Sequence, residues 1–82
     1  MTRFAGLDPE GVDTARRLVR LIGYGWCPAL PASELRAGMT RGLNYGAKED
    51  IVAVETRGGW VYISCPQRTL RKRPDSLVAV RS

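Results

Sequence analysis

The chain has 82 residues, a length typical of a single domain, and we expect residues 1–82 to form one. Its 44% hydrophobic and 26% charged residues are ordinary for a globular protein and argue against disorder over most of the chain. No apolar run approaches the roughly 20 residues that span a membrane. Residues 1–30 lack a basic start followed by an apolar run, so we expect no signal peptide and a cytoplasmic location.

The net charge of +5 comes from 13 basic and 8 acidic side chains and is unevenly distributed. Residues 1–40 contain five basic and four acidic groups, whereas residues 41–82 contain eight and four. This asymmetry favours an anionic partner for the second half of the chain. A solvated basic surface without a ligand would have the same composition, so both interpretations stay open.

The first predicted element is a helix over about 9–22. Asp8 is a good N-cap, Pro9 suits the first helical position, and Gly23 is a suitable stop. Apolar residues recur between these signals at spacings of three, four and three: Val12, Ala15, Val19 and Ile22. This spacing predicts one apolar helix face that packs on the rest of the domain.

Residues 23–32 are expected to form a linker. Pro28 and Pro31 restrict their own backbone and that of the preceding residues, so the helix cannot continue here. Tyr24 and Trp26 lie in this segment. They either fill the edge of the core or serve as exposed binding anchors.

A β-module is predicted over residues 33–82, and it begins with one helical turn at 33–36. Alternating apolar residues predict its strands, and Gly58-Gly59 is typical of a two-residue hairpin turn. The five predicted strands are Met39–Tyr45, Asp50–Arg57, Trp60–Cys65, Thr69–Arg73 and Leu77–Arg81. Gly46–Glu49 is expected to be a loop.

The register of the central strands follows if Gly58-Gly59 and Pro66-Gln67 are both two-residue turns. The two turns then place apolar side chains on the same face, and a slip of one residue would destroy that agreement. The predicted buried set on this face is Val52, Val54, Val61, Ile63, Val78 and Val80.

The opposite face of the same strands is predicted to be aromatic and basic. It pairs Arg57 with Trp60, Tyr62 with Arg71, and Trp60 with Arg73. Aromatic rings among arginines form cation–π pairs and are a common means of holding single-stranded nucleic acid. The alternative is structural, with the two rings covered by the N-terminal helix. The candidate binding residues are Arg57, Trp60, Tyr62, Arg68, Arg71, Lys72 and Arg73.

The segments Ser33–Met39 and Ile51–Glu55 resemble the opening of small SH3-like barrels. They are similar to the N-terminal, KOW-like barrel of bacterial translation elongation factor P, and small actinobacterial and actinophage proteins have a similar pattern. The resemblance covers about a third of the chain and implies five short strands closing a partly open barrel. That factor presents a modified Lys on a Gly-rich loop, whereas Arg57-Gly58-Gly59 contains none, so its role in translation is not implied.

The chemistry of an enzyme is not expected. The chain has no His, the commonest general base at neutral pH. Cys27 and Cys65 have no recognisable base beside them and are expected to be buried thiols. Glu49 and Asp50 are adjacent at a predicted strand start. We expect them to be charged residues that end the strand, and not ligands of a cation. No cofactor and no metal are therefore expected.

The sequence thus predicts an α+β, mostly β protein: an N-terminal α-helix plus a small five-stranded antiparallel SH3-like barrel or curled sheet. The expected function is a non-enzymatic binding module that docks on a larger protein or assembly. The alternative is a nucleic-acid-binding protein that holds RNA or DNA on the basic, aromatic face of residues 57–73. A membrane partner is not expected, and the oligomeric state stays open.

Overall fold

The computed structural model of the protein describes residues 10–82, which form an almost entirely β structure. The strands of this part are β1 (Gly11–Asp13), β2 (Leu18–Leu21), β3 (Gly25–Pro31), β4 (Thr40–Gly42), β5 (Lys48–Asp50), β6 (Ala53–Arg57), β7 (Trp60–Cys65), β8 (Arg68–Lys72) and β9 (Leu77–Arg81). Its helical segments are two single 3-10 turns, Ala32–Glu34 and Asn44–Gly46. No helix among the described residues is long and apolar enough to cross a membrane.

The strands form two antiparallel sheets that share one stretch of chain. Sheet I has the order β1-β2-β3-β9-β4-β5, and sheet II has the order β6-β7-β8. The chain changes sheets between β5 and β6: Ile51 N donates to Met39 O (2.8 Å), and Val52 N donates to Ser64 O (2.8 Å). Only Ile51 and Val52 separate β5 from β6, so these two strands fix the position of sheet II on sheet I.

The first core lies between the two sheets. Every second side chain of β7 points into it, because successive side chains of a strand alternate between its two faces. The buried members of this core are Ala32, Leu35, Ile51, Val61, Ile63, Cys65 and Val78. Of the six residues predicted to be buried together, Val61, Ile63 and Val78 are buried, and Val54 and Val80 are half-buried against them.

The prediction for the sixth residue, Val52, is wrong. Its side chain is 55% exposed, whereas its neighbour Ile51 is buried. The alternation of an unbroken strand would place Val52 on the same face as Val54. The bend at the change of sheet interrupts that alternation and makes Ile51 the inward-pointing residue.

Sheet I curls on itself and encloses a second apolar cluster. Its buried members are Val19, Leu21, Cys27, Ala29 and Ala79. The curl brings β2 against β4, since a Cβ placed on Gly42 would lie 3.2 Å from Leu21 Cδ1. Hydrogen bonds close the same contact: Tyr45 N donates to Ile22 O (2.6 Å), and Ile22 N donates to Asn44 Oδ1 (2.8 Å). The missing side chain of Gly42 therefore permits the close approach of the two strands.

The predicted helix over about 9–22 is wrong, because the described part of that segment forms the β1–β2 hairpin. Val12 pairs with Val19 across this hairpin, so their seven-residue spacing reflects one face of a sheet instead of one face of a helix. Val19 and Leu21 are buried while Arg20 between them is exposed. That period of two is typical of a strand.

The turn of this hairpin has a local cause. Asp13 Oδ1 accepts a hydrogen bond from Arg16 N (3.1 Å), and Arg17 adopts a positive φ of 55°. Asp is favoured at the start of such turns, because its side chain offers the backbone an alternative to the helical hydrogen bond. The predicted helix start at Asp8 and Pro9 lies outside the described residues.

The predicted linker 23–32 is also wrong, since most of it is β3, an interior strand of sheet I. Pro28 is the last residue of β3 paired with β2, and Pro31 is the last one paired with β9. A proline lacks the N–H donor of a ladder, and at the end of a ladder that loss is small. The prolines therefore limit the two ladders without preventing the strand.

The predicted fold class, an α+β module with an N-terminal helix and five strands, is therefore wrong for the described residues. The predicted strand Met39–Tyr45 shortens to β4 and ends in a 3-10 turn, and the predicted loop Gly46–Glu49 contains the start of β5. The predicted strands Trp60–Cys65 and Leu77–Arg81 are confirmed with their bounds, as β7 and β9.

Candidate functional site

The register predicted for sheet II is confirmed. Gly58 and Gly59 both have positive φ, of 57° and 82°, as a two-residue turn of the primed type requires. The pairs on the outer side of the sheet are Arg57 with Trp60, Glu55 with Tyr62, Tyr62 with Arg71, and Ser64 with Thr69. The side chains that sequence analysis placed opposite the core face do lie there.

The arginines of this outer side stack on the two rings. The guanidinium Cζ of Arg71 lies 4.1 Å and that of Arg73 4.7 Å from the centre of the Trp60 ring. The Cζ of Arg57 lies 4.3 Å from the centre of the Tyr62 ring. We call these five residues the arginine–aromatic face. Two of the three stacks are diagonal to the strand pairing, because diagonal neighbours are within reach of long side chains.

The two rings are covered by the arginines and not by a helix. Trp60 and Tyr62 are half-buried, whereas Arg57, Arg71 and Arg73 are exposed. The structural alternative required the helix predicted over 9–22, and residues 10–22 form strands instead. The arginine–aromatic face is therefore open on the described part of the protein.

The charge of this face is positive and only partly compensated. Arg57 Nε lies 3.4 Å from Glu55 Oε2 in an exposed ion pair. Among the described residues, neither Arg71 nor Arg73 has a carboxylate partner within ion-pair distance. The described carboxylates therefore leave the charges of these two arginines uncompensated.

Two of the predicted site residues, Arg68 and Lys72, lie on the other side of sheet II. Arg68 pairs with Cys65 and Lys72 pairs with Val61, so both point toward the core side. Lys72 lines a small cavity next to Leu77 at the start of β9. The structure thus brings five of the seven candidate residues together and separates these two.

Arg68 belongs instead to a charged cluster at the edge of the first core. Arg41 Nε donates to Glu49 Oε1 at 3.0 Å, and Arg68 Nε lies 3.5 Å from Glu49 Oε2 without hydrogen-bond geometry. The side chains of Arg41 and Glu49 are only 6% and 12% exposed. Glu49 in β5 therefore links β4 with the start of β8, a role that its place beside Asp50 in the sequence did not indicate.

Both thiols are buried, as predicted. Burial raises the pKa of Cys27 above its ordinary value of 9.0, partly offset by the charge of Arg81. Burial also raises the pKa of Cys65, and the negative charge of Glu49 and a hydrogen bond with it raise that pKa further. A raised pKa keeps a thiol protonated and inert near neutral pH, which argues against a nucleophilic role.

A second group of aromatic and basic residues, missed by sequence analysis, lies where the β2–β3 and β4–β5 connections meet. Tyr24 and Tyr45 are both exposed, and the Arg81 Cζ lies 4.4 Å from the centre of the Tyr24 ring. Arg81 Nη1 also donates to Gly46 O (3.3 Å). We call Tyr24, Tyr45 and Arg81 the tyrosine end. Sequence analysis places Tyr24 in the predicted linker, but no signal in the sequence indicates that Tyr45 lies close to it.

Within residues 10–82, no three His, Cys, Asp or Glu side chains converge in a way that could hold a metal ion. Comparison of the chain with protein-family models, curated proteins and solved structures finds no match. The resemblance to the barrel of elongation factor P therefore stays a prediction.

Proposed function

We propose that this protein is a non-enzymatic binding module that holds single-stranded nucleic acid on its arginine–aromatic face. The observation that supports the proposal is the stacking of Arg71 and Arg73 on Trp60 without a carboxylate partner among the described residues. A strand of nucleic acid offers both a phosphate for each guanidinium and a base for each planar surface.

The geometry fits a single strand better than a duplex. The arginine–aromatic face lies on the outer side of a three-stranded sheet and combines aromatic rings with stacked guanidinium groups. Unpaired bases expose their ring faces, which stack on aromatic side chains and on guanidinium planes. The guanidinium groups that cover Tyr62 and Trp60 offer planar surfaces that suit two successive bases.

Docking on a larger protein is the second candidate. It is supported by Trp26, a large side chain that is 52% exposed on β3 beside the exposed Pro28. Exposed tryptophans are common anchors of protein interfaces. One premise of this candidate, a helix appended to the β-module, is absent from residues 10–22. We therefore rank it below nucleic-acid binding.

The test is the binding of a labelled single-stranded oligonucleotide at about 50 mM and about 200 mM salt. Replacing both Arg71 and Arg73 with Gln should flatten the log–log salt slope by roughly one to two units, since fewer counterions are released. Trp60→Ala should weaken binding by about 1–3 kcal/mol while leaving the slope nearly unchanged. Arg supplies the long-range attraction, and Trp supplies the contact.

The matched control is the double change Arg16→Gln and Arg20→Gln, which removes the same charge from the exposed part of the β1–β2 hairpin. Its salt slope should stay closer to that of the unmodified protein. Thermal melts of every variant separate lost contacts from lost folding. Equal slopes for the two double variants, or no binding even at about 50 mM salt, would remove the proposal.

A further inference from the structure

Tyr45 occupies a backbone conformation that suits its side chain poorly. Its φ and ψ are 63° and 29°, and Gly46 follows with a φ of 76°. These two residues are the centre of a tight turn in which Leu43 N donates to Ala47 O (2.8 Å). Asn or Gly is the usual residue at such a position, because a larger side chain is strained there.

Burial does not compensate for this strain. The Tyr45 side chain is 72% exposed, the largest exposed fraction among the exposed large hydrophobic residues of the described part. One edge of its ring rests on Gly23, where an added Cβ would lie 2.6 Å from Tyr45 Cδ1. Strained backbone positions cluster at functional sites, which makes an exposed ring on such a position a candidate ligand contact.

The turn that presents Tyr45 is held rigidly. Its packing is reciprocal, because the Tyr45 ring lies over Gly23 and the Tyr24 ring lies over Gly46. The hydrogen bond from Tyr45 N to Ile22 O (2.6 Å) locks the two connections together. The ring is therefore placed before any ligand arrives, which lowers the entropy cost of binding.

Two basic residues belong to the segments that meet at the tyrosine end. Arg81 stacks on Tyr24, and Lys48 Nζ, at the start of the neighbouring strand, donates to Ser82 O (3.2 Å). The nearest carboxylates along the chain are engaged elsewhere, Glu49 by Arg41 and Asp50 by the Thr40 hydroxyl (3.4 Å). The tyrosine end thus repeats the combination of rings and cations found on the arginine–aromatic face.

We propose that the tyrosine end is a second contact site for the same strand of nucleic acid, with Tyr45 as a platform on which a base stacks. This inference rests on the proposed function of the arginine–aromatic face. The two sites lie at opposite ends of β5–β6, since Tyr45 precedes β5 and Trp60 follows β6. Ten residues of strand span at most about 30 Å, and the bend between β5 and β6 shortens this distance, so an oligonucleotide of about 16 nucleotides is long enough to reach both sites.

The experiment compares single-stranded oligonucleotides of about 4 and about 16 nucleotides, the range of site sizes in small β-domains. The longer one should bind the unmodified protein far more tightly than the shorter one, since its second contact is intramolecular. Tyr45→Asn relieves the strained turn and should keep or raise the melting temperature. It should lower the affinity for the longer oligonucleotide about 5- to 100-fold, because one stacked base is lost.

Two controls make the result specific. Val12→Ala removes an exposed apolar side chain from β1 and should leave both affinities unchanged. Trp60→Ala should weaken the binding of both oligonucleotides. If Tyr45→Asn binds the longer one normally while Trp60→Ala does not, the second site is overturned and the proposed function stands.

The same measurements also show whether the arginine–aromatic face fails as a binding site while the tyrosine end binds. If Trp60→Ala binds normally and Tyr45→Asn is weakened, the tyrosine end binds nucleic acid by itself, and the arginine–aromatic face does not. If no oligonucleotide binds, both proposals are overturned, and the exposed tyrosines are left to a protein partner.

Discussion

Arg41 and Glu49 form an ion pair, Nε to Oε1 at 3.0 Å, from which water is almost excluded. Such a pair is costly to break, because removing one partner leaves the other charge buried and uncompensated. Glu49→Ala should therefore lower the free energy of unfolding by about 3–5 kcal/mol. Urea denaturation followed by tryptophan fluorescence measures this loss.

The neighbouring residue provides the control for that prediction. Asp50 is exposed, and its side chain accepts a long hydrogen bond from the Thr40 hydroxyl (3.4 Å). Asp50→Ala should cost no more than about 1 kcal/mol. Similar losses for the two variants would contradict a structural role of Glu49.

The bend between β5 and β6 predicts a contrast between two apolar residues. Ile63 is fully buried in the first core, so Ile63→Ala should cost about 2–5 kcal/mol. Val52 is mostly exposed, so Val52→Ala should change the stability by about 0.5 kcal/mol or less. A large loss at Val52 would show that the strand continues unbroken with Val52 pointing inward.

The contact of β2 with β4 predicts that sheet I does not tolerate a side chain at Gly42. An added Cβ would lie 3.0 Å from Arg81 Cγ, 3.2 Å from Leu21 Cδ1 and 3.3 Å from Ala79 Cβ. Gly42→Ala should therefore destabilise the protein by about 1–3 kcal/mol.

A matched glycine tests that explanation. Gly11 in β1 has no positive φ, and a Cβ there would meet Trp26 Cη2 at an ordinary contact distance of 3.6 Å. Gly11→Ala should be neutral or slightly stabilising, since alanine restricts the unfolded chain. The melting temperature should fall for Gly42→Ala and stay unchanged or rise slightly for Gly11→Ala. Equal shifts would mean that the sheet is not closed at Gly42.

The buried thiols predict a loss of stability in alkaline solution. Burial raises the pKa of Cys65 above its ordinary value of 9.0, so the folded state holds the thiol proton more tightly than the unfolded state. The resulting stability is complete below the unfolded pKa and is lost as the pH rises through the folded pKa. Cys65→Ala should therefore lose less stability than the unmodified protein between about pH 8 and about pH 10. Parallel pH profiles would contradict this prediction.

The parts of the fold that the sequence predicted are those that depend on neighbours along the chain. Gly58-Gly59 can adopt positive φ at both positions, and this local property fixes the register of β6 and β7. The register in turn places Arg57, Trp60 and Tyr62 on one face. The central residues of the candidate site could therefore be predicted from short-range sequence signals alone.

The errors arose where distant segments decide the structure. Val12 and Val19 have a spacing that fits one helix face and also the β1–β2 hairpin, and the pairing of β2 with β3 adds a distant contact that favours the strand. The tyrosine end was missed because its rings are 21 residues apart in the sequence and meet only when sheet I curls. Arg68 and Lys72 lie on the core side because they alternate with Thr69 and Arg71 along β8.

The position of β9 between β3 and β4 has a consequence for the rate of folding. Leu30 pairs with Val78, 48 residues later, so the centre of sheet I consists of contacts between distant parts of the chain. Closing such a loop costs entropy before any contact is gained, and proteins rich in distant pairings fold in milliseconds to seconds instead of microseconds. The hairpins of sheet II need no such closure. We therefore expect the strands of sheet II to pair early in folding, and sheet I to form only when β9 pairs with β3 and β4. The connection of β5 to β6 then brings the two sheets together.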